Sequence, residues 1–200
     1  IKAMRHRLGR VRLASTVTLI ARSSHGVLVT AGTQTEMFDE VVMACHSGQA
    51  LTILADASTA EREVLGAIRY SKNEVLLHQD ATVMPRRLAA WASWNYHAQA
   101  DSKKASLTYY MNRLQNFESS QPVLVTLNDT GNVDANLVLK RLQYEHPVFD
   151  VAMLAAQRRH SEISGVNRTY YCGAYWRYGF HEDGVVSALR VASELAAKYD

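Results

Sequence analysis

The chain has 200 residues, 48% of them hydrophobic, with 22 basic against 19 acidic side chains and a formal net charge of +3. That apolar content suffices for a real core and excludes a disordered chain, while so small and diffuse a positive excess gives no ground for a nucleic-acid partner. No run of about 18 apolar residues exists, so no membrane span is expected, and the opening IKAMRHRLGRVRL lacks the apolar centre of a signal peptide; a cytoplasmic location is expected.

Ile1 is not an initiator residue and the first dozen residues read as the end of a helix, so the chain is expected to be a fragment. The basic cluster RHRLGRVR, 5–12, reads as a solvated helix end. Next, RVRLASTVTLIARS (10–23) holds short apolar runs, SSHG turns the chain, and VLVTA (27–31) returns it, which predicts a hairpin or meander. GTQTEM is predicted to be a turn. FDEVVMACH (38–46) follows, and its unbroken apolar stretch Val41 to Cys45 predicts a strand covered on both faces. Ser47 is expected to cap one helix, and Ser58 or Thr59 a second that carries Glu61 and Glu63 in its first turn.

Between residues 73 and 128 the segments NEVLLHQD, RLAAWASWNYH, KASLTYYMNRLQ and QPVLVTLN predict an antiparallel sheet. Asp150 then caps a helix whose apolar face is expected through Val151, Leu154 and Ala155. TYYCGA is a strand, and EDGVVSALRVASELAAKY a helix with Val185, Leu189, Ala192 and Leu195 on one face.

The junction at 169–195 carries the chemistry. A helix N-terminus directs unpaired N–H groups and partial positive charge outward, which attracts electron-rich acceptors. Glu182 and Asp183 fit the ordinary role of satisfying those groups. The loop before them places Tyr170, Tyr171, Tyr175, Trp176, Tyr178 and Phe180 within eleven residues of a chain only 8% aromatic, punctuated by Gly173, Gly179 and Gly184. An aromatic wall around a helix N-terminus suits a flat, electron-accepting heterocycle.

The stretch CGAYWRYGFHEDGVVSALRVASEL resembles the C-terminal signature of flavin-dependent oxidoreductases of the amine oxidase and phytoene desaturase type. RLASTVTLIARSSHGVLVTAGTQTEMFDEVVMACHSGQAL is similar to that family's central stretch, with Asp39 to Ala44 in the pattern D-x-V-V-x-A. Together with AWASWNY, YYMNRLQ and HPVF, these motifs resemble a bacterial subgroup described as predicted NAD/FAD-binding, amine oxidase-like proteins, over essentially the whole chain.

The resemblance implies FAD as cofactor, with Val17 at the adenine. It places Gly173, Ala174, Tyr175, Trp176, Gly179, Phe180, His181, Glu182, Asp183 and Gly184 around the flavin. Two departures stand out. The family's glycine-acid pair is Gly173-Ala174 here, and no G-x-G-x-x-G occurs among the ten glycines, so the pyrophosphate cradle is absent from these residues. The implied fold class is α/β (α+β overall), the C-terminal half of a Rossmann-like FAD-binding domain (1–56 and 163–200) with an inserted antiparallel-sheet substrate domain (57–162). The missing half is the expected partner, and without it apolar sheet surface is expected to be exposed.

In the insert, Trp94, Asn95, Tyr110 and Asn112 are candidate pocket residues for an apolar or amine substrate, with sheet packing as the competing role for the aromatics. His181 is the weak catalytic candidate, and His46 is of the same kind. Cys45 and Cys172 read as packing in a reducing compartment, and no metal site is expected. The implied activity is hydride transfer from an organic substrate to flavin. The alternatives are a lipid or isoprenoid desaturase or isomerase of the same fold, or a catalytically silent piece completed by a partner chain.

Overall fold

The computed structural model describes residues 8–98 and 106–199. The chain divides into two compact units, 1–69 with 147–200 and 70–146. The expected boundaries at 56/57 and 162/163 are thus displaced. The reason is local: the helix after Ser58 and the helix after Asp150 pack on each other and on the other helices of the first unit.

In the first unit, β1 (Val17–Arg22), β2 (Val27–Ala31) and β3 (Gln34–Phe38) form an antiparallel meander. The predicted GTQTEM turn shrinks to Gly32 and Thr33, with Gly32 at φ 61°, and the rest of it becomes β3. β4 (Val41–Met43) pairs in parallel with β10 (Thr169–Tyr171). β4 is shorter than the predicted strand, and its sheet has two strands, so Val42 is 43% exposed instead of covered on both faces. The expected exposed apolar sheet surface is present there.

α1 (Ser47–Ile53) is capped by His46, not Ser47, because the His46 N–H is taken by Gln49 Oε1 at 3.1 Å and the Ser47 hydroxyl is turned inward onto the Ile68 carbonyl. α2 (Thr59–Gly66) has Ser58 as cap in a reciprocal pair with Glu61. α4 (Val151–Arg158) begins at Asp150, whose Oδ1 accepts the Met153 N–H. Its buried face is Met153 and Ala156, continued by His160 in α5 (His160–Ile163), and not Val151, Leu154 and Ala155, which are exposed. α6 (His181–Tyr199) differs in the same way: Asp183, Ser187 and Val191 are buried, whereas Val185, Leu189 and Ala192 face outward and only Leu195 of the predicted face packs inward, against Tyr170, Cys172 and Val191.

A buried ion pair ties the first unit together. Arg22 on β1 grips Glu61 on α2 through both nitrogens, at 2.5 and 2.9 Å, and reaches the Thr169 hydroxyl on β10. The Tyr171 hydroxyl donates to the same Glu61 oxygen at 2.5 Å. Burial alone would raise the Glu61 pKa, but these hydrogen bonds, the Ser58 N–H and the Arg22 charge win and hold it at about 2.

The second unit is a five-stranded sheet in the order β6-β7-β8-β5-β9. Its strands are β5 (Tyr70–His78), β6 (Trp94–His97), β7 (Ser106–Tyr110), β8 (Leu124–Leu127) and β9 (Val138–Pro147). Four coincide with the predicted strand segments, and β6, β7, β8 and β5 are mutually antiparallel. α3 (Met111–Leu114) is a single turn closing β7. Of the predicted basic helix end, residues 5–7 lie outside the described residues; Arg10 and Arg12 are not helical, and both pair with Glu36 on β3.

Candidate functional site

The parallel pair β4 and β10 sets the site. The Cys172 N–H donates to the Met43 carbonyl at 3.0 Å, so the pairing runs one step past the strands before β10 breaks at Gly173. A Cβ at Gly173 would lie 2.5 Å from the Tyr175 ring, which makes glycine obligatory for the close turn into the 3-10 segment 174–176. Behind the turn, the Ser187 hydroxyl on α6 accepts the Gly173 N–H at 3.0 Å. Gln157 on α4 donates to the carbonyls of Tyr175 and Arg177 at 2.8 and 2.6 Å. Neither Ser187 nor Gln157 is conspicuous in the sequence; each becomes functional only through folding, as a clamp on the loop.

The loop aromatics separate into two sets. Tyr170, Tyr171, Tyr175 and Trp176 are buried, and Trp176 stacks edge-on to His160 at 4.5 Å. Tyr178 and Phe180 are exposed. Tyr175 and Trp176 are therefore core residues beneath the loop, and the predicted six-membered aromatic wall is reduced to its last two members. His160 donates through Nε2 to the Tyr171 carbonyl; burial lowers its pKa and keeps the imidazole neutral.

At the start of α6, Asp183 accepts the Phe180 N–H at 3.0 Å and lies 3.5 Å from Arg177, the ordinary capping role weighed for it above. Glu182 and His181 are exposed at the first turn. Ala174 packs 3.9 Å from where a Gly184 Cβ would lie, so the helix begins against the end of β10.

Val17 lies elsewhere in the same unit. It lines an apolar cleft of about 650 Å3 with Ile20, Val29, the exposed edge of β4 and the thiol-bearing Cys45. Residues 173–184 are not among the lining residues of that cleft, so the two groups of cofactor candidates flank the β4–β10 pair without converging in one cavity. Cys45 and Cys172 are free thiols that burial pushes up in pKa, which suits packing and not nucleophilic chemistry.

In the second unit, Trp94, Asn95, Tyr110 and Asn112 do not form one pocket. Trp94 is exposed and packs edge-on to Tyr109, whereas its neighbour Asn95 alternates to the buried face and bonds the Ala92 and Thr108 carbonyls. Tyr110 packs on Trp91, and Asn112 Oδ1 accepts the Val123 N–H, closing the loop after β7. Both asparagines are consumed by local structure. The buried face instead carries a polar chain that the sequence did not reveal: His78 Nε2 bonds Thr126 Oγ1 at 2.7 Å, and Thr126 bonds Thr108 at 2.8 Å.

Among the described residues no group of three metal-ligating side chains occurs, and no helix is long and apolar enough to cross a membrane. The sequence matches no family model and no curated protein. Solved structures do match: putrescine oxidase bound to putrescine superposes with a TM-score of 0.65 at 14% identity over 97% of this chain and 51% of its own. The fold is amine oxidase-like. Cyclohexylamine oxidase from Brevibacterium oxydans IH-35A gives 0.56 at 12% identity over 92% of this chain and 49% of its own. A fatty acid isomerase from P. acnes that produces CLA gives 0.55 at 16% identity over 90% of this chain and 47% of its own. The chain thus spans about half the length of the structures it resembles.

Proposed function

We propose that these residues are the C-terminal portion of a cytoplasmic FAD-dependent oxidoreductase of the amine oxidase type, which takes hydride from a small organic substrate. The observation that carries this reading is the parallel β4–β10 pair ending at Gly173, against which α6 begins, within an amine oxidase-like fold. In this reading residues 1–69 with 147–200 are part of a Rossmann-like FAD-binding domain, and 70–146 is the substrate domain. The partner is the half that would carry the pyrophosphate cradle.

The residues present fit the cofactor in part. The cleft beside Val17 is apolar and large enough for an adenine, and the first-turn amides of α6 offer donors to an electron-rich ring edge. At the Gly173-Ala174 pair no carboxylate is available and Asp183 is engaged in capping, so Glu182 and backbone groups would bind ribityl hydroxyls. Bound FAD would supply the hydride acceptor. The chain's own share is to hold and bias it: Ser187 and Gln157 fix the loop, and the α6 dipole favours negative charge at its N-terminus.

The likeness to a fatty acid isomerase favours a second reading, an isomerase or desaturase acting on a lipid chain. Expression of the whole gene product tests both. It should purify yellow with one FAD per chain and be bleached anaerobically by an amine under the first reading, or by an unsaturated lipid under the second. A colourless product that takes up no FAD would end both and leave the silent-domain alternative.

A further inference from the structure

The loops at one end of the second unit form a cationic, apolar tip that neither the fold nor a flavin accounts for. Residues 85–93 lead into β6 and residues 111–123 leave β7; the Tyr110 N–H on the Ser93 carbonyl, at 3.0 Å, places both loops at the same end of that hairpin. Trp91 joins them. Its Nε1 donates to the Pro85 carbonyl at 2.7 Å, its own carbonyl accepts from Arg113 at 2.6 Å, and its ring meets Tyr110 edge-on at 5.1 Å.

From this joint the side chains that a core would claim point to solvent: Leu88 is 74% exposed, Leu114 45% and Phe117 37%. Arg86 and Arg87 precede Leu88, Arg113 precedes Leu114, and all three are exposed, while Glu118 is the one carboxylate in the two segments. No carboxylate pairs with Arg86 or Arg87 among the described residues.

We infer that this tip docks on an anionic lipid surface. An exposed leucine next to two exposed arginines suits an interface where apolar groups enter the acyl boundary and the cations stay among headgroups. A nucleic acid would use the arginines but gain nothing from Leu88 and Leu114. An acidic protein would have to present an apolar pocket beside its charges. Three cations near such a surface are worth roughly a hundredfold in affinity, with screening by salt. The inference uses none of the residues assigned to FAD, and it rests on the tip staying uncovered in the whole gene product.

The test is flotation of the whole gene product with vesicles of phosphatidylcholine alone or mixed with phosphatidylglycerol. Binding should require phosphatidylglycerol, weaken with salt, and fall roughly tenfold or more in Arg86→Glu/Arg87→Glu. Leu88→Ser should weaken it with the charge of the tip unchanged. Lys140→Glu/Arg141→Glu, which changes net charge equally on β9, should retain binding. Equal binding to both vesicle types, or equal loss in both double variants, would overturn the inference. So would an absence of vesicle binding accompanied by tip-dependent binding to single-stranded RNA or to an acidic protein.

Discussion

The two units differ in what holds their buried charges. The first buries full charges: Arg22, Glu61 and the Tyr171 hydroxyl join β1, α2 and β10, elements that share few backbone hydrogen bonds. The second buries no such ion pair among the described residues: His78, Thr126 and Thr108 line one face of a sheet already fixed by four consecutive pairings, and the buried Asp80 carboxylate is held by the Thr82 and Asp134 N–H groups and the Thr82 hydroxyl. The comparison teaches that an incomplete sheet needs side chains to hold its strands in place, whereas a continuous one uses them only to fill a face.

Removing one partner of the ion pair should have the largest effect. Glu61→Ala leaves the buried guanidinium with only the more exposed Asp56 as counter-ion, at 3.0 Å, and should cost about 3 kcal/mol in denaturant unfolding. Hydrogen exchange should show lost protection in β1, β10 and α2, with β5 and β8 unchanged; uniform loss in both units would break the comparison.

Acid sharpens it. Glu61 stays ionised in the fold down to about pH 2, while an unfolded glutamate titrates near about 4.3, so the pair's contribution is full above the higher value and disappears as pH falls through the lower. His78 behaves otherwise. Burial lowers its pKa, outweighing the Asp80 and Asp129 charges, so the second unit loses stability as pH falls below about 6.5, where the unfolded imidazole takes up a proton that the fold refuses. His160 gives the first unit the same upper step. Glu61→Gln should abolish only the lower acid step, as followed by pH-dependent hydrogen exchange; survival of that step would show that another carboxylate carries it.

In the second unit, Thr126→Val strands the His78 Nε2–H, since His78 Nδ1 already accepts the Asp80 N–H. A cost of about 1–3 kcal/mol is expected, confined to 70–146. Smallest is Leu189→Ser, on the outward face of α6: within about 0.5 kcal/mol of the parent by thermal or denaturant unfolding. A large loss there would mean that the predicted apolar face of α6 is buried after all.

That last case shows what the sequence could carry. The existence of α4 and α6 is legible from their first-turn residues and periodicity, but each holds two candidate stripes, and periodicity alone favours the apolar one. The buried stripe of α6 contains Asp183 and Ser187, which look solvent-facing until their partners, the Phe180 and Gly173 N–H groups, are seen. β9 is not legible because VLKRLQYEHP interrupts its apolar residues with charges, as befits an exposed edge strand. Trp94 and Asn95 are neighbours in sequence, but strand alternation sends them to opposite faces. The turn at Gly173 and the motif around it were local enough to read directly. The His78–Thr126–Thr108 chain depends on the pairing of β5, β7 and β8 and could not be.

The central claim is that these residues hold part of a flavin site that is completed by residues outside them. It is tested most directly by titrating FAD, with flavin fluorescence as readout, into the 200-residue chain and into the whole gene product containing it. The account predicts stoichiometric tight binding by the whole product and weak or no binding by the chain alone. Tight stoichiometric binding by the chain alone, or none by the whole product, would contradict it.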